Sequence, residues 1–218
     1  MSDAVEVQDP LKSPDQIYEP DDRQKYFSGT LAERHAYLAS IVLNKSVPMD
    51  VKQLFETAKN LSLYSWFAYR FHQVSELIAF SALEMALRVR YQKEKPLKPG
   101  QKKRPPGLYD LLQYAKNNKW IVNEKFPSLY ERAKYLAELN KASIKMKNHD
   151  FDKAPSMLVD EPEEEEILEA ISKLDLVEAI TRSANKIRNN LAHGSSTLHP
   201  NSTYTLVTVS EVINQVCP

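Results

Sequence analysis

The chain carries an arginine and a histidine five residues apart, Arg188 and His193, near the end of a segment whose apolar residues repeat with helical spacing. A histidine titrates near neutral pH and acts as a general base or a general acid. An arginine keeps its charge and offers a planar fork of donors to phosphate oxygens. Together they match the needs of metal-free RNA cleavage, in which a proton leaves the 2′-hydroxyl, another reaches the leaving 5′-oxygen, and negative charge develops on phosphorus. The expected product is a 2′,3′-cyclic phosphate.

Three further polar residues accompany this pair. Asn189 is placed to orient His193 from one turn below or to hold a phosphate oxygen, and Lys186 and Arg182 lie with them on one narrow arc of an ideal helix. Arg188 lies about 140° away from His193 and borders the apolar stripe. Because the two residues do not share a face, we predict a symmetric homodimer in which two such helices pool their arginines and histidines in one cleft.

The elements that must position these residues are helical. Asp175 to Ala192 is predicted as a helix with one apolar stripe, which ends at Gly194 as its C′ residue. Upstream, apolar spacing and capping residues predict helices over Thr30–Leu43, Pro48–Asn60, Ser62–Gln92, Leu108–Lys116, Pro127–Lys147 and Ile167–Leu174. The β-branched stretch Tyr204–Val209 predicts one short C-terminal strand. The predicted fold class is all-α, a helical bundle with that strand as an addition.

The domain organisation follows from composition. Residues 1–22 are acidic, rich in proline and poor in apolar side chains, which predicts a disordered tail, whereas 23–218 form a single domain. Residues 93–107 combine lysine and arginine with proline and glycine, which is typical of a mobile basic loop. From Arg88 to Asp150 there are sixteen basic residues against six acidic ones, a bias that favours attraction to phosphates and is equally expected of solvated helix faces.

Composition also excludes several functional classes. The 218 residues contain four glycines, and no stretch matches a phosphate-binding glycine loop. The single cysteine, Cys217, excludes an internal disulfide and a cysteine-based zinc site, and we expect neither a cofactor nor a metal. The N-terminus has neither the basic nor the apolar region of a secretion signal, and no apolar run is long enough to span a bilayer. A cytoplasmic protein without membrane contact is therefore expected.

The Arg-His segment resembles the R-x4-H signature of HEPN domains. Arg188 and His193 match its two defining positions, Asn189 matches a frequent polar residue after the arginine, and Leu191-Ala192-His193-Gly194 is a common end of that helix. The upstream segment Leu83-Glu84-Met85-Ala86-Leu87-Arg88 is similar to the early HEPN helix, in which an acidic residue often faces the site. The resemblance covers roughly Leu61 to the C-terminus and leaves 1–60 unexplained.

The resemblance implies an all-α dimeric endoribonuclease with RNA as its partner, in a toxin or phage-defence setting. Arg188 and His193 would carry catalysis, Asn189 would assist, and Glu84, Lys186 and Arg182 would support them. Some HEPN toxins have a tyrosine two residues after the histidine that an antitoxin modifies. Ser195 stands at that position here, which argues against this mode of regulation while leaving another antitoxin or regulatory protein open.

Other interpretations of the same residues stay open. A non-catalytic HEPN module would bind a nucleotide, RNA or a protein partner, and a helical scaffold would carry the motif by coincidence. Arg188 would then be a surface arginine paired with Glu84, and His193 a helix-capping residue.

His149 and Asp150 form an alternative acid-base pair. His72 and Glu76, one turn apart, are expected to be structural. The aromatic residues among the basic ones suit either base stacking or the core: Tyr109, Tyr114, Trp120, Tyr130 and Tyr135.

Overall fold

The computed structural model describes residues 9–96, 106–149, 156–193 and 198–218. Within these ranges the chain forms eight α-helices and no strand, so the all-α prediction is confirmed. The helices are α1 Leu31–Ser40, α2 Met49–Tyr64, α3 Phe71–Glu94, α4 Leu108–Asn117, α5 Pro127–Asn148, α6 Glu164–Ser172, α7 Leu176–Ala192 and α8 Ser202–Val216. None of the described helices is long and apolar enough to cross a membrane.

Helix α3 forms the centre of the bundle. It packs against α2, α4, α7 and α8, and its inner face is fully buried. Alanines at Ala79, Ala82 and Ala86 let the neighbouring helices approach closely, while Leu83 and Leu87 fill the space between them. Helices α7 and α8 both lie against α3, and this packing places the Arg-His segment beside the Glu84 turn of α3.

Side-chain capping explains the predicted starts of α1 and α7. The Thr30 hydroxyl accepts from the Glu33 amide at 3.2 Å, and the Glu33 carboxylate accepts from the Thr30 amide at 2.7 Å, which completes the predicted capping box. At the start of α7, Asp175 Oδ1 accepts from the Glu178 amide at 2.9 Å and from Asn123 Nδ2 at 3.2 Å. The helix that carries the candidate site is thus fixed at its first turn.

The prediction of one helix over Ser62–Gln92 is wrong. Helix α2 continues past the predicted end at Asn60 to Tyr64, and α3 begins only at Phe71. Between them the backbone turns: the amides of Trp66 and Phe67 donate three residues back, and the Tyr69 amide donates to the Asp21 carboxylate at 3.2 Å. A carboxylate distant in sequence thus accepts a hydrogen bond within the break, and neither glycine nor proline marks it.

The predicted strand Tyr204–Val209 is also wrong, because these residues lie inside α8. Four apolar side chains at helical spacing form its buried stripe: Leu206, Val209, Ile213 and Val216. Packing of this stripe against α3 outweighs the modest strand preference of Thr205, Val207 and Thr208.

The N-terminal segment is described from Asp9 onward and joins the bundle through ion pairs. Asp9 pairs with Arg23 and, at 2.8 Å, with Arg70 Nε. A short 3-10 helix, Asp22–Tyr26, follows, and the Asp21 side chain accepts from the Arg23 amide at its start. The remainder of the predicted tail, 1–8, and the central part of the predicted basic loop, 97–105, lie outside the described residues.

Candidate functional site

Two arginines from neighbouring helices share one carboxylate at the α3–α7 contact. On α3, Arg88 Nη2 donates to Glu84 Oε1 at 2.5 Å. From α7, Arg188 Nη2 donates to Glu84 Oε2 at 3.4 Å, which confirms the predicted contact between Arg188 and Glu84. The Glu84 side chain is 15% exposed and each arginine side chain 37% exposed, so the guanidinium groups remain accessible from solvent.

The charge of this cluster is unbalanced. Two guanidinium ions face one carboxylate, and no other acidic group within the described ranges pairs with Arg88 or Arg188. The Nε atoms of both arginines are buried without a hydrogen-bond partner among the described residues. A half-exposed pair of forks with one excess positive charge suits an anion that has several acceptor oxygens, such as a phosphodiester.

Asn189 lies in the last turn of α7, and His193 is the residue directly after the helix end, at its C-cap. The Asn189 side-chain oxygen accepts from Arg188 Nη1 at 3.2 Å, and its carbonyl oxygen accepts from the His193 amide at 2.9 Å. The His193 side chain is exposed and forms no hydrogen bond or ion pair with another described residue. Asn189 therefore contacts the arginine side chain and not the imidazole. The predicted helix end at Gly194, and Ser195, lie outside the described residues.

The two supporting basic residues of α7 are not part of the arginine cluster. Arg182 pairs with Glu178, one turn earlier on the same helix, and Glu178 also binds Lys116 of α4. The Lys186 side chain is exposed. Both residues face solvent on the polar arc that leads to His193, and their positive charge adds to the potential along that arc.

The basic middle of the chain divides into structural and exposed groups. Arg90 stacks on Trp120 at 4.4 Å and donates to the Val216 carbonyl oxygen at 2.8 Å, where it closes the end of α8. Lys141 of α5 pairs with Glu166 of α6 at 2.8 Å. Trp120 is buried, whereas Tyr109 and Tyr135 are exposed. Asp150 of the alternative acid-base pair lies outside the described residues, and only its neighbour His149 is described.

A buried polar cluster at the start of α3 and α8 was not predicted. His72, 3% exposed, lies with Nδ1 at 2.7 Å from Ser202 Oγ and with Nε2 at 3.1 Å from Ser65 Oγ and 3.4 Å from Arg34 Nη2. Ser62 Oγ lies 2.8 Å from Ser202 Oγ. These residues link the α2–α3 break to the first turn of α8. The spacing of His72 and Glu76 was visible in the sequence, but their partners lie far away along the chain.

The buried cluster keeps its histidine neutral. Burial, followed by the nearby charges of Arg34 and His199, lowers the pKa of His72 to about 3. One turn later, burial raises the pKa of the Glu76 carboxyl, while the hydrogen bond from Thr205 and the proximity of His199 act in the opposite direction. The prediction that His72 and Glu76 are structural agrees with this setting for His72, whose hydrogen bonds join three segments of the bundle.

No protein-family model, curated protein or solved structure matches this chain. The arginine cluster at the α3–α7 contact and the exposed histidine at the end of α7 therefore carry the functional argument by their chemistry.

Proposed function

We propose that the chain is a metal-independent endoribonuclease of the HEPN type. The observation that carries this proposal is the pairing of two half-exposed arginines, Arg88 and Arg188, with the single carboxylate of Glu84. The cluster holds an excess positive charge in a fixed position on rigid helices, which is the arrangement that stabilises a developing phosphorane charge. His193 at the end of the same helix supplies proton transfer.

The reaction proceeds by attack of the RNA 2′-hydroxyl on the adjacent phosphorus. His193 takes the proton at the 2′-hydroxyl or gives one to the leaving 5′-oxygen, with water serving the other position. The new bond joins the 2′-oxygen to phosphorus, and the bond from phosphorus to the 5′-oxygen breaks. Arg188 binds the nonbridging oxygens, while Glu84 and Asn189 hold its guanidinium in place.

We propose further that the site is composite. Arg188 and His193 leave α7 in directions that differ by about 140°, so one copy of the helix does not direct both at one phosphate. A two-fold arrangement of α7 helices brings Arg188 of one copy towards His193 of the other and creates two such pairs in one cleft. Single-stranded or looped RNA is the expected substrate, because in-line attack requires a flexible backbone at the scissile bond.

The residue assignment is tested by cleavage of total RNA with single variants. We expect His193→Ala and Arg188→Ala each to lower the cleavage rate by about a hundredfold or more. His35→Ala is the matched control, because His35 is an exposed histidine on α1, away from α7. Equal rates for wild type and all three variants would contradict the proposal.

The second candidate function is an RNA-binding module that does not cleave. The accessible arginine cluster favours it as well, because phosphate binding needs no proton transfer. In that case wild type and His193→Ala retain RNA equally on a filter and leave it intact, whereas Arg188→Ala weakens retention.

A further inference from the structure

A second concave site lies beside α7 and does not include the arginine cluster. It is a cavity of about 230 Å³ between α3, α7 and α8, and neither Arg88, Arg188 nor Glu84 lines it. Its inner wall is apolar and is formed by Phe80, Leu83, Ile180, Ala184, Val209 and Val212. Its rim includes the exposed residues Ser183 and Tyr204, so the cavity opens to solvent.

Two polar atoms on the wall of this cavity lack hydrogen-bond partners. The side chain of Glu76 is 3% exposed, and its Oε2 accepts from Thr205 Oγ1 at 3.0 Å. Its Oε1 lies 3.4 Å from His199 Nδ1, which is within ion-pair reach but does not form a hydrogen bond. Both Glu76 Oε1 and His199 Nδ1 are buried without a hydrogen bond to any described residue.

An unsatisfied buried polar atom costs free energy, so a bound group that satisfies both atoms is favoured. A carboxylate oxygen accepts a hydrogen bond, and an imidazole nitrogen donates one when it carries a proton and accepts one when it does not. A hydroxyl group provides both functions at one oxygen atom. An ammonium group serves only the carboxylate, a carboxylate group serves only the imidazole, and a hydrocarbon serves neither.

We propose that this cavity is a binding site for a small apolar molecule that carries one hydroxyl group, of the alkylphenol class. The hydroxyl donates to Glu76 Oε1 and accepts from His199 Nδ1, and the hydrocarbon part packs between α3, α7 and α8. The volume suits such a molecule, because an apolar cavity of about 150 Å³ already holds benzene. This site is independent of the proposed RNA cleavage.

The test is calorimetric titration of the full chain with 4-ethylphenol and with ethylbenzene, which has the same shape without the hydroxyl. We expect 4-ethylphenol to bind with a Kd of about a millimolar or tighter, and ethylbenzene at least about tenfold more weakly. Equal binding of both compounds, or no binding of 4-ethylphenol, would overturn the proposal. The latter result is expected if water alone occupies the polar end of the cavity.

Two variants locate the binding site. Ser183→Trp at the rim is expected to abolish 4-ethylphenol binding, whereas Ser172→Trp, at an exposed serine near the end of α6, leaves it unchanged. His199→Leu removes one hydrogen-bonding partner from a partly exposed position and is expected to weaken 4-ethylphenol about tenfold without weakening ethylbenzene. Binding that survives Ser183→Trp, or that is insensitive to His199→Leu, would place the ligand elsewhere and overturn the assignment. Circular dichroism of each variant confirms that the helices are retained.

Discussion

Glu84 holds arginines from two helices on its two carboxylate oxygens, and this contact decides where Arg188 points. Both ion pairs involve half-exposed guanidinium groups, so their contribution to the free energy of unfolding is small, less than about 1 kcal/mol each. The contact matters mainly because it orients the Arg188 guanidinium group. A guanidinium held on one side by a carboxylate presents its free donors on the other.

Replacing Glu84 by glutamine therefore tests whether Glu84 positions the Arg188 side chain, separately from its effect on the free energy of unfolding. We expect Glu84→Gln to slow RNA cleavage by about tenfold or more, while the midpoint of urea unfolding changes little. Glu178→Gln is the matched control, because Glu178 also binds two cations, Lys116 and Arg182, but does not contact Arg188. If the two variants cleave RNA equally fast, Glu84 has no positioning role.

His72 gives the fold a specific pH dependence. Burial lowers the pKa of His72 to about 3, whereas the imidazole of the unfolded chain titrates near 6.5. Between these values the unfolded state binds the additional proton, so the free energy of unfolding falls as the pH falls. From pH 6.5 to pH 5 the expected loss is about 1.5 kcal/mol.

The measurement compares urea unfolding of wild type and His72→Gln at both pH values. The contribution of Glu76 has the opposite sign, because its pKa is raised, but it is present in both proteins and cancels in the comparison. We expect the variant to be less stable at pH 6.5 and to lose less stability on acidification. A variant with the same pH slope as wild type would show that the buried imidazole is not responsible.

The individual site residues were predictable from the sequence only in part. The contact of Arg188 with Glu84 was predicted both for a surface arginine without function and for a catalytic arginine that Glu84 positions, and the structure confirms the contact. The partnership of His72 with Arg34, Ser65 and Ser202 was missed. Serine hydroxyls have no periodic pattern, and a contact between residues 130 positions apart leaves no local signal in one sequence.

Among the helices, α7 is stabilised by hydrogen bonds at its first turn. Asp175 is its N-cap and also binds Asn123, which ties the helix start to the segment before α5. We expect Asp175→Ala to lower the free energy of unfolding by about 1 kcal/mol, measured by urea denaturation. Asp110→Ala is the control, since Asp110 lies in the first turn of α4 but caps no amide. Equal effects of the two substitutions would argue against the capping role.

Helices were predictable where capping residues and apolar periodicity agree, as they do in α1 and α7. The predictions failed where tertiary contacts override local preference. Asp21 accepts from a backbone amide in the break between α2 and α3, and the burial of Leu206 and Val209 against α3 keeps a β-branched stretch helical. In both cases the deciding contacts come from residues outside the segment whose secondary structure was predicted wrongly.

For the whole molecule, the proposed dimer makes a quantitative prediction. We expect Arg188→Ala and His193→Ala each to be nearly inactive alone, whereas a mixed dimer has one intact Arg188 facing one intact His193. Random mixing makes half of the dimers mixed, each with one working pair of two, so activity should return to about a quarter of the wild-type value. The measurement is RNA cleavage after the two variants are mixed, unfolded and refolded together. No recovery in a mixture that contains dimers would contradict a site shared between copies.

The all-α class of the bundle was predictable, because the apolar residues of most segments repeat with helical spacing and not with the alternation of a strand. Helices α3 and α7 meet at the two segments that carry the HEPN resemblance, Leu83–Arg88 and Ile187–His193, through the contact of Arg188 with Glu84.

The most direct test of the central claim is the chemistry of the ends that the protein leaves on RNA. The full chain is incubated with total RNA in excess EDTA, and the fragment ends are identified by phosphatase and kinase treatment. The proposed Arg-His mechanism predicts cleavage without a metal, with 2′,3′-cyclic phosphate on one fragment and a 5′-hydroxyl on the next. Fragments that carry 5′-phosphates, or RNA that is cleaved only when Mg²⁺ is restored, would contradict it.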